Sequence, residues 1–223
     1  MEEQKIRLEE VLPAEIEKRS FEIIGEELAA AGKKLDPENE LVIKRAIHTT
    51  ADFDYADNLV FSPGAVQSGI GALRSGAAVV TDTRMAWSGI NKERLKSLGG
   101  EAFCFMADED VKEAARMQGI TRAAASMDKA ARMFSADQQQ GEQWPVIFAV
   151  GNAPTALVRL YELIREGAIR PALVIGVPVG FVNVIPSKEM ILTLEDIPFI
   201  VARGRKGGSN VAAAICNALL YQI

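Results

Sequence analysis

Residues 144–157, WPVIFAVGNAPTAL, join a continuous apolar run to the start of a helix. The run from Val146 to Val150 has no polar residue, which is typical of a strand buried on both faces. Gly151 ends the run, and Pro154 suits the first turn of a helix because its fixed φ is already helical. This stretch therefore predicts a fully buried strand that passes directly into a helix.

The same pattern recurs along the second half of the chain. Apolar runs ended by Gly, Asp or Pro occupy residues 77–83, 101–107, 171–180 and 197–204, and helical patterns lie between them. This alternation predicts an α/β fold in one domain over residues 1–223: a mostly parallel sheet with helices on both faces, a Rossmann-like three-layer sandwich. The sequence does not define the strand order and leaves an antiparallel edge strand open.

The first third of the chain is helical in pattern. Apolar residues at helical spacing predict a helix over residues 14–31, ended by Gly32. Asp36 is the expected N-cap of a second helix. A third helix is expected to open at Ser62 and Pro63 and to end at Gly76, and the polar segment 135–143 is expected to be a surface loop.

Composition narrows the class of protein. The formal net charge of -5 indicates no nucleic-acid partner, since such proteins usually carry a basic surface. No apolar run reaches the length of about 20 residues that a membrane span needs, and the charged N-terminus predicts no signal peptide. The two cysteines, Cys104 and Cys216, lie in apolar contexts without metal-ligand spacing. We therefore expect free thiols and a cytoplasmic protein.

The segment RGRKGGSN, residues 203–210, is the clearest candidate for ligand binding. Ligands of parallel sheets bind beyond the carboxyl ends of the strands, and this segment follows the last apolar run. Its glycines let backbone N–H groups approach an anion, and Arg203, Arg205 and Lys206 add positive charge. A solvated basic loop remains the alternative. The segment does not have the residue order of a Walker A phosphate loop.

His48 is the only histidine of the chain. An imidazole with an unperturbed pKa near 6.5 suits proton transfer near neutrality, but a lone histidine at a helix end can equally be an ordinary surface residue. Thr49, Thr50 and Asp52 are candidates to orient the ring, and Arg45 lies one turn earlier. A metal site is not expected, because such sites usually need several His or Cys ligands.

Six segments in order resemble the precorrin-8X methylmutase family of cobalamin biosynthesis. They are RSFEII (19–24), IKRAIHTTAD (43–52), VFSPGAV (60–66), GNAPTAL (151–157), GVPVGFV (176–182) and RGRKGGSNVAAA (203–214). The resemblance implies an isomerase that moves a methyl group from C-11 to C-12 of precorrin-8 or cobalt-precorrin-8, giving hydrogenobyrinate or cobyrinate. It implies a tetrapyrrole substrate and no cofactor, with cobalt present only as part of the substrate.

The resemblance also assigns roles to residues. It makes His48 the general acid and base, and it implies a homodimer with the site near the subunit interface. The substrate-binding residues that it suggests are Ser20, Arg45, Thr49, Arg122, Asn152, Ala153, Val179, Arg203, Lys206, Gly207 and Gly208.

Two other functions stay open at this point. A non-catalytic corrinoid or tetrapyrrole carrier would have the same pocket but would tolerate the loss of His48. A small anion-binding enzyme, such as a phosphate-ester transferase, would bind phosphate at residues 203–208 and need a divalent metal. The motifs do not distinguish a cobalt-containing from a metal-free substrate.

Overall fold

The structure is a computed structural model that describes residues 9–135 and 144–223. The strands are β1 (Leu59–Phe61), β2 (Ala78–Thr81), β3 (Glu101–Phe103), β4 (Val146–Val150), β5 (Leu173–Gly176) and β6 (Phe199–Ala202). The helices are α1 (Ile16–Ala30), α2 (Glu40–Thr50), α3 (Tyr55–Asn58), α4 (Ala65–Arg74), α5 (Arg84–Gly89), α6 (Lys92–Ser97), α7 (Glu109–Gln118), α8 (Arg122–Phe134), α9 (Pro154–Arg165), α10 (Val184–Leu192) and α11 (Ser209–Leu220). Short 3-10 helices span Pro13–Glu15 and Phe105–Ala107.

The strands form one six-stranded sheet in the order β1-β6-β5-β4-β2-β3. All neighbouring pairs are parallel except the edge pair, in which β1 runs antiparallel to β6 with Leu59 opposite Ala202. The prediction of a mostly parallel sheet is confirmed, and each apolar run became a strand. β1 was not predicted, because its three residues are too few to show a strand pattern.

Helices cover both faces of the sheet, as the unbroken apolar runs required. Ile147 and Ile175 point to one face and belong to a core that includes residues of α2, α4 and α11. Their neighbours Phe148 and Val174 point to the other face and pack in a core with residues of α8, α9 and α10. Because successive side chains of a strand alternate between faces, both had to be apolar.

The predicted helix starts need correction at two places. Asp36 is not the N-cap of α2: its carboxylate accepts a hydrogen bond from the Glu38 N–H, which forms a local turn, and the helix begins at Glu40. α4 begins at Ala65, after a turn in which Gly64 has a φ of 67°. α1 and its end at Gly32 agree with the prediction.

Two expectations concern residues that lie outside the described ranges. Residues 136–143 of the predicted loop 135–143 lie outside the described residues, as do residues 1–8. A single domain over residues 1–223 therefore stays a prediction for the whole chain.

Asp82 joins two neighbouring strands at their carboxyl ends. It directly follows β2 and is fully buried. Its carboxylate accepts hydrogen bonds from three backbone N–H groups at the end of β4: Gly151 at 2.8 Å, Asn152 at 2.8 Å and Ala153 at 2.7 Å. Burial raises the pKa of the Asp82 carboxyl, and these hydrogen bonds oppose that shift. Asp82 therefore holds the start of α9 against β2.

We predict that Asp82→Asn destabilises the protein by about 2–4 kcal/mol, as expected when buried N–H groups lose their acceptors. Both carboxylate oxygens accept from N–H groups, so an amide NH₂ at either position would face a donor. Urea unfolding measures the change. Asp57→Asn removes an exposed carboxylate as a control, and an equal effect of the two substitutions would contradict the prediction.

Candidate active site

The basic loop, residues 203–208, runs from the end of β6 to the start of α11 and packs tightly against the segment after β5. A Cβ atom on Gly207 would lie 2.1 Å from the Val177 carbonyl oxygen, and the φ of Gly207 is 156°. Gly208 donates its N–H to the same carbonyl at 2.8 Å. Only glycine at position 207 permits this close approach.

Lys206 is bound to two carboxylates. Its ammonium lies 2.7 Å from Asp52 and 2.5 Å from Asp54, in the turn between α2 and α3. Hydrogen bonds to Asp52 and Asp54 raise the pKa of Lys206 to about 12. The charge of Lys206 is therefore paired within the protein and joins the basic loop to the end of α2, while its contact with a substrate stays a prediction.

We call the contacts of Lys206 with Asp52 and Asp54 the clamp, and they persist at neutral pH. The hydrogen bond from Lys206 is the main cause that lowers the pKa of Asp52 below its usual 3.8. A lowered folded-state pKa gives stability that is complete above pH 3.8 and is lost as the pH falls through the folded-state value. The clamp therefore stays closed over the pH range in which an imidazole titrates.

The two arginines of the basic loop are more available. Arg203 is more than half exposed, and its nearest carboxylate oxygen, from Glu189, is 3.4 Å away. Arg205 is exposed, with its guanidinium 5.4 Å from the centre of the Phe181 ring. Both can reach an anion at the surface.

His48 lies in the last turn of α2 and is exposed to solvent. Its ring centre is 5.6 Å from that of Phe21 in α1. The expected orienting contacts are absent among the described residues: the Thr50 hydroxyl donates to the Ala46 carbonyl at 2.8 Å, and Asp52 binds Lys206. The ring is therefore free to receive a ligand but is not fixed by a hydrogen bond.

Arg45 is committed to a structural contact beside His48. Its guanidinium makes two hydrogen bonds to Glu17, at 2.9 and 2.8 Å, and lies 4.7 Å from the centre of the Phe21 ring. The hydrogen bond from Arg45 is the main cause that lowers the pKa of Glu17. Arg45 therefore braces α1 against α2, with its charge already paired.

The smaller polar residues are divided between local contacts and open surface. The Ser20 hydroxyl donates to the Ile16 carbonyl at 2.8 Å within α1, whereas Thr49 is exposed next to His48. The N–H groups of Asn152 and Ala153 already bind Asp82. These two N–H groups are therefore engaged within the protein, whereas Asn152 is exposed, and the substrate contacts expected of Asn152 and Ala153 stay predictions.

Arg122 and Val179 are both exposed, Arg122 at the start of α8 and Val179 in the loop after β5. Thr121, next to Arg122, shares a hydrogen bond with Thr155 at 2.8 Å, so Arg122 lies near the start of α9. Among the expected binding residues, Lys206 connects the basic loop to the end of α2, whereas Ser20 lies on α1 and Arg122 on α8.

A cavity of about 660 Å³ opens between α8, α9 and α10. Its wall combines apolar residues such as Ile120, Val158 and Met190 with Arg159, which pairs with Asp128 at 2.7 Å. His48 does not line this cavity.

Lys188 in α10 was not recognised from the sequence. It is fully buried, and its ammonium donates to the Gly204 and Lys206 carbonyls of the basic loop. The helical spacing could have indicated that Lys188 faces the core, because it lies four residues after Val184 and three before Ile191, and both of these are buried.

Within the described residues, no group of three or more His, Cys, Asp or Glu side chains is arranged to hold a metal ion. In the same part of the chain, no helix is both long and apolar enough to span a membrane.

Comparisons with known proteins agree on one family. A family model described as precorrin-8X methylmutase matches residues 15–222. The chain is 47% identical to the cobalt-precorrin-8 methylmutase of Salmonella typhimurium, over 95% of this chain and 96% of that protein. It is 46% identical to the enzyme of the same name from Leptospira interrogans, over 92% and 91% of the two chains. A solved precorrin-8X methyl mutase from Thermus thermophilus superposes with a TM-score of 0.80 and 40% identity, covering 93% of this chain and 96% of that one.

We predict that the double substitution Asp52→Asn and Asp54→Asn loosens the basic loop. Trypsin cleaves after arginine and lysine, so cleavage at Arg203, Arg205 and Lys206 should accelerate by about tenfold once the clamp opens. Mass spectrometry of a digestion time course measures the rate.

The matched control removes the same number of carboxylates from a similar pair elsewhere. Lys129 lies 2.7 Å from Asp108 and 2.8 Å from Asp110, so Asp108→Asn with Asp110→Asn opens an equivalent clamp far along the chain. If both double variants accelerate cleavage in the basic loop equally, Lys206 does not hold it.

Proposed function

From the precorrin-8X methylmutase family, to which the chain belongs, we infer that His48 provides the proton for a methyl shift on a corrinoid ring. The family consists of isomerases of cobalamin biosynthesis, and its reaction converts precorrin-8 or its cobalt form to hydrogenobyrinate or cobyrinate. The substrate class is therefore a tetrapyrrole. The observation that carries the role of His48 is that the only imidazole of the chain is exposed and has no competing hydrogen-bond partner among the described residues.

The proposed step needs no external reactant. Protonated His48 donates its proton to a ring nitrogen near C-11, which draws electron density from that carbon. The bond between C-11 and the methyl group breaks as the bond to C-12 forms, and the proton then returns to the imidazole. General-acid assistance of this kind contributes about 10²- to 10⁴-fold, and a fixed orientation of the ring contributes further.

Apolar and basic side chains near the carboxyl edge suit a disc with carboxylates on its rim. Phe181 and Val182 are 82% and 79% exposed, and Phe21 flanks the imidazole. Large exposed apolar groups are typical of surfaces that bind a ligand or partner. We propose that they contact the faces of the macrocycle, while Arg203 and Arg205 bind its carboxylates.

The remaining binding residues take more specific proposed roles. Gly207 and Gly208 shape the basic loop, whereas Lys206 and Arg45 act as braces because their charges are paired. Ser20, Thr49, Arg122, Asn152, Ala153 and Val179 stay as proposed contacts.

A homodimer completes the site in this proposal. Ligand pockets usually enclose 70–90% of the ligand surface, yet His48 and Thr49 lie on an open surface of one protomer. A second copy placed over this surface would supply the missing wall and exclude water from the ring.

The proposed substrate contains cobalt. Both curated relatives described above are named cobalt-precorrin-8 methylmutases. In these names the cobalt belongs to the precorrin, so the proposal includes cobalt only as part of the substrate.

We propose that the protein is cytoplasmic. Both Cys104 and Cys216 are free thiols, which fits a reducing compartment.

We predict that His48→Ala retains cobyrinate binding within about threefold but lowers turnover by at least 10²-fold, since it removes the proposed proton donor. Anaerobic reactions with cobalt-containing and cobalt-free precorrin-8 are followed by the absorption change of the macrocycle, and faster turnover is expected with cobalt. Lys112→Met, on the surface of α7, serves as the control. Near-normal turnover of His48→Ala would contradict the proton-donor role, and a wild-type protein that binds the ring without converting it would indicate a carrier.

The dimer proposal predicts that activity depends on protein concentration. Specific activity should fall as dilution dissociates the dimer, in parallel with the sedimentation coefficient. Full activity of a species that sediments as a monomer would contradict a shared site.

A further inference from the structure

Lys188 is a buried cation directly beneath the basic loop. Its ammonium donates to the Gly204 carbonyl at 2.9 Å and to the Lys206 carbonyl at 2.8 Å, and the residue has no solvent exposure. Loss of hydration on burial lowers its pKa to about 8. Lysine is almost never fully buried without a pairing partner, so this position calls for an explanation.

Within the described residues, Lys188 pairs with no carboxylate. The charged groups on the elements around it are engaged elsewhere or point to solvent. On α10, Glu189 is nearest to Arg203; on α9, Arg159 pairs with Glu162; on the loop, Arg205 stacks on Phe181 and Lys206 pairs with Asp52 and Asp54. β6 carries no charged residue. The positive charge of Lys188 is therefore not neutralised by a neighbouring side chain.

The two carbonyls that Lys188 binds fix the direction of two N–H groups. In a planar trans peptide, the C=O and the N–H of the next residue point in opposite directions, and no cis peptide is present in the described residues. The Gly204 and Lys206 carbonyls point to Lys188, so the N–H groups of Arg205 and Gly207 point away from it. Neither N–H donates a hydrogen bond to the described residues. The outer side of the loop thus presents two free donors.

We propose that Lys188 is a positioning residue that holds the basic loop as a cradle, in which the N–H groups of Arg205 and Gly207 bind one carboxylate of the corrinoid. This inference rests on the proposed function for the identity of the ligand. Pairs of backbone N–H groups in loops are known anion-binding arrangements. The ammonium behind the carbonyls polarises both peptide units, and its field acts through the protein interior, where screening is weak.

This role explains why a lysine is buried here. The loop must bind an anion while one of its own cations, Lys206, is neutralised by two carboxylates. The Lys188 ammonium, which is buried beneath the loop, adds positive potential without contacting the ligand itself. It also defines both carbonyl directions before the ligand arrives, which reduces the ordering cost of binding.

The test measures cobyrinate affinity by absorbance titration between pH 7 and 9.5. Carboxylates of the ligand are ionised throughout this range. For the wild type, we expect the dissociation constant to rise by about tenfold as Lys188 loses its proton. Lys188→Met should bind about tenfold more weakly at pH 7 and lose most of the pH dependence, because it lacks both the charge and the donors. Lys188→Arg should stay tight and independent of pH.

Lys112→Met removes one surface lysine, paired with Glu109, and should reproduce the wild-type curve. In single-turnover reactions at saturating precorrin-8, Lys188→Met should keep the rate of the bound step while KM rises, which separates positioning from catalysis. A wild-type affinity that does not change with pH, or a Lys188→Met variant with the wild-type curve, would overturn the proposal. If Lys188→Met does not fold, the wild-type and Lys188→Arg curves decide. Absence of cobyrinate binding by the wild type would instead contradict the proposed function.

Discussion

Two ammonium groups fix the basic loop, one from the helix beneath it and one on the loop itself, and the candidate site depends on both contacts. Lys188 binds the loop carbonyls from inside, and Lys206 reaches outward to Asp52 and Asp54. The loop is thereby fixed to α10 on one side and to the end of α2 on the other. Because His48 is also at the end of α2, the same contacts connect the proposed proton donor with the proposed carboxylate cradle.

Asp82 engages the N–H groups at the place where ligands usually bind in such sheets. In doubly wound sheets, ligands bind where the strand order reverses, which here is between β2 and β4. The Asp82 carboxylate takes the three N–H groups at that crevice, and the Thr83 and Ser209 hydroxyls share a hydrogen bond of 2.8 Å beside it. These N–H and hydroxyl groups are thus engaged within the protein, and the exposed arginines of the proposed site lie on the basic loop after β6.

The inventory of side chains suits an intramolecular rearrangement. A methyl shift consumes no donor, metal or hydride carrier, so in the proposed mechanism the protein holds the ring and moves one proton. One exposed imidazole, an apolar surface around Phe181 and a basic loop meet these needs. Arg45 and Lys206 are paired with carboxylates of the protein, so in the proposed site they act as braces.

The sequence by itself determined the fold class, the position of the parallel strands and the identity of the family. These features follow from local patterns: unbroken apolar runs such as Val146–Val150, helix-start residues such as Pro154, and motifs of consecutive residues. β1 and the start of α2 escaped prediction, because a three-residue strand and an Asx turn at Asp36 carry weak local signals. Only the tertiary structure decided which charges are free. Lys206, Arg45 and the N–H groups after β4 find partners on Asp52, Glu17 and Asp82, all distant along the chain. Pairing depends on distances in three dimensions, and a linear sequence does not contain them.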